Sequence, residues 1–362
     1  MKKKWLAIPA VLLVLVAALP FAPELARFWM AHRPQPKLAV DAAMRTQALD
    51  TLVTRLNQHY VFPEQAKEIE MVLRQRQKLG AYDAMTDGEK FAAQLEADIM
   101  GVAHDPHLGV WFSPGAVPPD PDEAPDLTGR KPPPFAANPV MRLLASIALS
   151  RESFGVDKVE HLSPGVGYLQ LMAFAPPVMS AGRVASAMNE LNDTDALIID
   201  LRGSRGGHPA GVILMISYFV DQRTHVSDVW SRDTGSTTAL WTDDALEGKR
   251  YGGKKPVTIL VDRDTKSASE DFAYTMQAMK RATIVGSRTW GGGHAARPYR
   301  LGDHFLVSVP DARFTSPITH TDFEGVGVIP DVEAASSDAL KVAQALLQRQ
   351  TRVAALRRGG GQ

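Results

Sequence analysis

The 362-residue chain contains no cysteine. That absence excludes disulfides, thiolate nucleophiles, cysteine-ligated metals and a lipid anchor carried on cysteine. It leaves the compartment open, because a large core is stable without covalent staples in either redox setting. Net charge is lacking too, with 40 Lys and Arg against 40 Asp and Glu. A generic nucleic-acid binder needs a basic face to displace counterions, so the balance speaks against that class. Dinucleotide fingerprints, Walker loops, H-E-x-x-H metal motifs, internal repeats and long low-complexity tracts are also missing. The sequence therefore calls for no cofactor and no metal. What it does have is 45% hydrophobic residues, which excludes wholesale disorder.

Lys2, Lys3 and Lys4 precede an apolar run from Trp5 to Ala22. A basic start before a hydrophobic stretch is the pattern of an export signal, so residues 1–30 read as a signal peptide or N-terminal membrane anchor. The run approaches the ~20 residues that span a bilayer, so residues 5–22 are a candidate membrane tether. The expected location is extracytoplasmic, periplasmic in a bacterial cell.

Helical periodicity follows. Leu49, Leu52, Val53 and Leu56 share one face, and Phe91, Leu95, Ile99 and Val102 form a second stripe. Residues 41–113 read as a helical N-terminal domain whose last part, Val110–Phe112, is extended. Residues 114–138 are too rich in proline for a regular helix or central strand and read as a linker or loop. A helix is expected over 140–149.

Residues 139–350 then alternate between strand and helix. Gly167–Phe174, Ala196–Leu201, Val257–Asp262 and Thr283–Gly286 read as strands. The third is a continuous apolar run of the kind buried on both faces. Val184, Met188 and Leu191 mark an intervening helix, and Ser267–Lys280 another. The pattern predicts an α/β fold with α+β elements: a mainly parallel β-α-β sheet whose sites lie at the carboxyl ends of its strands. Leu340–Leu347 reads as a closing helix and residues 351–362 as a loose tail.

Three strand-to-helix or strand-to-loop junctions could carry chemistry. Asp200-Leu201-Arg202-Gly203-Ser204-Arg205-Gly206-Gly207 is a Gly-rich turn that can aim backbone N–H groups at a ligand or merely turn the chain. Ser267-Ala268-Ser269-Glu270 matches a capping box, and equally places a serine where a helix dipole and neighbouring N–H groups support a nucleophile. Trp290-Gly291-Gly292-Gly293-His294 brings a histidine next to permissive backbone, either as a working group or as a flexible loop. A serine nucleophile needs a base, and His107 and His294 sit in the tightest local sequences. Spacing does not choose between them.

These segments, with Gly325-Val326-Gly327-Val328-Ile329-Pro330-Asp331 and Asp105-x-His107-Leu108, resemble the tail-specific or C-terminal-processing serine peptidases, the S41 family. The resemblance spans roughly residues 167–332 and implies a helical N-terminal domain joined to a sheet domain of the ClpP/crotonase-like type. It implies Ser267 as nucleophile and an oxyanion hole from Gly206, Gly207 and Ala268. The Ser/Lys branch of the family carries a lysine where this chain has Gly292. The lysine-free loop is similar instead to the branch of tricorn-type peptidases and interphotoreceptor retinoid-binding-like proteins. That branch implies His107 as base and Glu324 as its carboxylate, although Pro106 stands where tricorn-type enzymes have serine.

The implied function is acyl-enzyme hydrolysis of peptide bonds in extended or C-terminal protein segments, with His294 as a cleft residue or alternative base. The implied partner is a protein or peptide substrate, and no nucleic acid. The alternative within the same fold is a non-catalytic binder of peptides or of retinoid- or fatty-acid-like ligands.

Overall fold

The computed structural model describes residues 38–117, 120 and 153–359. The export segment, most of the Pro-rich stretch and the helix expected over 140–149 lie outside the described residues. Among the described residues no helix is long and apolar enough to cross a membrane.

Three helices come first: α1 (Ala42–His59), α2 (Pro63–Lys78) and α3 (Gly88–Ala103). Their starts follow capping chemistry. Asp41 accepts the Met44 N–H, Asp87 accepts the Lys90 N–H, and Pro63 opens α2 where its missing N–H costs nothing. The stripes read from sequence are buried, with Leu49, Leu52, Leu56, Phe91, Leu95 and Ile99 at 1% exposure or less. After α3, His104 adopts the left-handed conformation (φ 52°) and turns the chain into Asp105-Pro106-His107. Strand β1 (Gly109–Phe112) follows.

The large sheet contains β2 (Val156–Ser163), β3 (Val166–Leu171), β4 (Ala196–Asp200), β7 (Val257–Val261), β8 (Thr283–Gly286) and β11 (Val332–Glu333). Its order is β11-β8-β7-β4-β3-β2, parallel throughout except for the β2–β3 hairpin. Strands β4 and β7 are buried at every position, because helices cover both faces. Alternation divides their side chains. Leu197 and Ile199 pack with α4 (Pro177–Leu191), α5 (Pro209–Ser217) and α6 (Ala268–Ala278), whereas Ala196 and Ile198 pack with α7 (Ala339–Gly359). The closing helix runs on to Gly359, through much of the segment read as a loose tail.

A second, antiparallel sheet is the feature that the β-α-β reading does not contain. It comprises β5 (His225–Ser231), β6 (Ser236–Trp241), β9 (His294–Arg300) and β10 (Phe305–Thr315), together with β1. Its strands are partly exposed, and β10 holds Pro310 at a register shift between Pro310 and Ala312. Such strands lack the apolar continuity that betrayed β4 and β7. Tyr299, Phe305, Val307 and Val309 of this sheet, with Leu301 just after β9, join the helices α1–α3 in one core. The helical region thus completes its core on β9 and β10, and those strands continue into the site.

Candidate active site

Three chain segments meet at the carboxyl ends of β4, β7 and β8. They are stitched together by short polar contacts. Asp262 accepts the Gly203 N–H at 3.1 Å, Thr265 donates its hydroxyl to the Leu201 carbonyl at 2.8 Å, and the Lys266 N–H reaches the Ser204 carbonyl at 2.9 Å. Asp200, fully buried, accepts the Tyr168 hydroxyl at 2.7 Å and pairs with Arg202, which also reaches the Ser336 carbonyl. The Asp-x-Arg part of the first junction is therefore scaffold.

Ser267 sits at the cap of α6 with φ 51° and ψ −122°, a conformation non-glycine residues rarely adopt. Glu270 holds it there. That carboxylate accepts the N–H of Ser267 at 2.8 Å, as a capping box requires. It also accepts the Thr289 hydroxyl and the N–H groups of Gly291 at 2.6 Å and Gly292 at 3.1 Å. Glu270 is wholly buried, and burial raises its pKa while the four donors oppose the rise. The sequence reading sees only a cap in Glu270; its second task, tying the serine turn to the Gly-rich loop, depends on residues 19–22 positions away.

Gly206 explains why the turn before α5 is glycine. A Cβ there would lie 2.9 Å from the Ser267 Cβ and 3.0 Å from the Ala268 nitrogen, and φ is 87°. The Gly206 N–H donates to Ser269 Oγ at 3.1 Å, and Ser269 in turn bonds Ser204 at 2.7 Å. The N–H groups of Gly207 and Ala268, by contrast, have no acceptor among the described residues. Gly206 thus gives closeness, and Gly207 and Ala268 give open donors.

His107 arrives from the loop between α3 and β1. Its Nε2 lies 3.3 Å from Ser267 Oγ. Asp105 shapes this loop by accepting the His107 N–H at 3.0 Å. The ring stands edge-on to Trp290, with centroids 5.1 Å apart. Burial pushes the His107 pKa down to about 4, opposed by the charge of Asp105 and reinforced by His294. The imidazole is therefore neutral at neutral pH. Gly292 makes room for it: a Cβ there would fall 2.5 Å from His107 Cε1 and 2.3 Å from Trp290.

Behind His107 lies a second polar group. His294 Nδ1 is 2.8 Å from Asp105 Oδ2 and 3.5 Å from Glu324 Oε2. Glu324 accepts the Gly293 N–H, and burial lifts its pKa to about 7. The Tyr60 hydroxyl reaches Asp105 at 3.4 Å, and its pKa is pushed far up by burial and then by that carboxylate. His107 Nδ1 is buried without a hydrogen-bond partner among the described residues. Glu324 therefore bonds to the loop beside His294, not to His107.

Among the described residues, Asp105, His294 and Glu324 could converge on a cation, with ligand atoms within 4.8 Å. Each is already committed to a protein partner. The structure brings Ser267 and His107 into contact, gathers Gly206, Gly207 and Ala268 around the serine, and places Glu324 and His294 one layer behind. Asp105 is the residue whose importance the sequence understated; its position two before His107 was the available signal.

The chain matches the N-terminal domain of family S41 peptidases found in eukaryotic IRBP over residues 38–146, and peptidase family S41 over residues 165–334. It is 32% identical over 214 residues to carboxyl-terminal-processing peptidase 2, chloroplastic, of Arabidopsis thaliana, covering 54% of this chain and 38% of the relative. It is 30% identical over 168 residues to the carboxyl-terminal-processing protease of Synechocystis sp., covering 46% of this chain and 37% of the relative. The chain spans well under half the length of these two curated relatives. Among solved structures, the photosystem II D1 C-terminal processing protease has a TM-score of 0.51 at 19% identity, covering 82% of this chain and 94% of that one. Mature CPAF complexed with lactacystin has a TM-score of 0.53 at 13% identity, covering 87% and 99%. Two family matches that together take in both the helical segment and the sheet place the chain in peptidase family S41.

Proposed function

We propose that the chain is a serine endopeptidase or processing peptidase that cuts extended or C-terminal segments of proteins through an acyl-enzyme. The observation that carries this reading is the 3.3 Å contact between His107 Nε2 and Ser267 Oγ beside two N–H groups without acceptors.

In the first half-reaction, Ser267 Oγ attacks the peptide carbonyl while its proton passes to His107 Nε2. The N–H groups of Gly207 and Ala268 receive the developing oxyanion, each donor contributing roughly 10²–10³ in rate. Gly206 serves by its lack of a side chain. The C–N bond then breaks, the leaving amine takes the proton from His107, and the acyl group stays on Ser267. In the second half, His107 takes a proton from water, the hydroxide adds to the acyl carbon, and Ser267 leaves with its proton restored. The depressed pKa keeps His107 unprotonated and ready to accept. Asp105 holds the His107 backbone, and Glu324 and His294 hold Asp105 and the Gly-rich loop, so the carboxylates act on the base through position and field.

In this reading, residues 41–113 supply the base and residues 139–350 the nucleophile, with the cleft between them. The basic and apolar start of the chain supports an extracytoplasmic site, with residues 5–22 as export signal or tether. Gly292 supports the lysine-free assignment, because the space a side chain there would need is filled by His107 and Trp290.

The test is hydrolysis of casein or an unstructured peptide by the purified chain beside Ser267→Ala, His107→Ala and His294→Ala. Loss in the first two and substantial retention in the third supports the assignment. Full activity of Ser267→Ala sinks it. Stoichiometric uptake of a fluorescent fatty acid, with no labelling of Ser267 by a phosphonate, favours the binding alternative.

A further inference from the structure

Ser267 and His107 open into a cavity of about 640 Å³. Its lining includes the apolar side chains of Val229, Ala312, Phe314 and Phe323. The charged groups on its wall are unevenly matched: Asp233, Asp271 and Asp311 face a single guanidinium, Arg297. Arg297 is already shared between Asp233 and Asp311, and Asp233 also pairs with His59 Nδ1 at 2.7 Å. Asp271 has no cationic partner among the described residues, and its carboxylate accepts the Thr275 hydroxyl at 3.4 Å.

Asp271 lies one helical turn beyond the serine on α6, the same helix whose first residue supplies an open N–H. A carboxylate in the first turn does favour the helix dipole. That benefit requires no exposure to a cavity, and burial works against it by pushing the carboxyl up to about 6. A partly buried carboxylate without a counter-charge is costly until a cation reaches it.

We propose that Asp271 is a specificity-determining residue that selects a lysine or arginine side chain on the residue whose carbonyl Ser267 attacks. The proposal rests on the serine peptidase reading above. The aliphatic stem of such a side chain lies along Val229, Phe314 and Phe323, and its cationic end meets Asp271. The excess of carboxylates over the one shared guanidinium attracts the same charge throughout the cavity and repels acidic side chains.

The experiment uses the full chain and two diphenyl phosphonate probes, one with a lysine-like aminobutyl group and one with a leucine-like isobutyl group. In each, Ser267 Oγ bonds to phosphorus and phenol leaves, so labelling rates report the pocket. The expected result is labelling by the lysine-like probe about tenfold faster or more. Asp271→Asn brings the ratio to about one or reverses it, and Asp271→Glu retains the preference. Equal rates in the wild type, faster reaction of the leucine-like probe, or a lysine preference that survives Asp271→Asn overturns the proposal while leaving the peptidase reading standing. If Asp271→Asn does not fold, the wild-type ratio and its retention in Asp271→Glu decide. Failure of both probes to label Ser267 overturns the peptidase reading, and the specificity proposal with it.

Discussion

The two sides of the cleft are held in different ways. The proposed nucleophile side is built on one short stretch: Ser267, Ala268, Ser269 and Glu270 are consecutive, and Glu270 accepts the Ser267 N–H while its other three donors tie that stretch to Thr289, Gly291 and Gly292. The base side is assembled from distant parts. His107 lies 160 residues from Ser267 in sequence, Asp105 pairs with His294, and Glu324 reaches the Gly293 N–H. A strained residue needs a rigid local clamp, whereas a base needs correct distance and a dry setting, which only packing between remote segments supplies.

Removal of either partner is the harshest test of this contrast. Ser267→Ala and His107→Ala are each expected to lower kcat/KM by roughly 10³-fold or more, and the double variant to be scarcely worse, since the two act as a unit. A double variant whose losses multiply would show that they work separately. Next comes Gly292→Ala, whose Cβ collides with His107 and Trp290. It should cost about 10² in kcat with little change in melting temperature, because a displacement of about 1 Å suffices. Unchanged kcat would mean that the base side tolerates movement.

Glu270→Gln strikes the local clamp. Its amide NH₂ would face donors that now meet carboxylate oxygens, so a loss of about 2–3 kcal/mol in stability is expected, measured by denaturant unfolding. His294→Ala, on the remote side, should cost less activity than His107→Ala and shift the pH profile instead. In the wild type, kcat/KM should rise with pH through about 4, where His107 loses its proton, and not through the ordinary histidine range.

The smallest effect concerns Glu324. Its folded pKa is raised to about 7 from an ordinary 4.5, so the proton stabilises the fold. That contribution is complete below 4.5 and is lost as pH rises through about 7. Glu324→Gln keeps a neutral group, so its melting temperature relative to wild type should improve between pH 5 and pH 8. A constant difference would mean that Glu324 is charged throughout.

Some parts of this arrangement are legible in the residue order. The buried strands β4 and β7 announce themselves by apolar continuity, and α1 and α3 by their stripes. Ser267-x-x-Glu270 and the Gly206-Gly207 turn mark the nucleophile side. The second sheet does not announce itself, because β5, β6 and β9 are partly polar and β10 contains Pro310. Their stability comes from antiparallel pairing across long separations and from the core shared with α1–α3, which no short window contains.

Residue order leaves the proposed base open between His107 and His294 for the same reason. Each stands in a tight local sequence, and only the packing of the α3–β1 loop against α6 shows that His107 touches the serine while His294 is spoken for by Asp105. The absence of cysteine left serine as the natural nucleophile, and periodicity and capping, which act over a few residues, determined the helices, the parallel strands and the turn that carries it. Which histidine faces it, which N–H groups stay open, and which carboxylate is left without a counter-charge depend on contacts between residues far apart in the chain. Tertiary structure alone decided them.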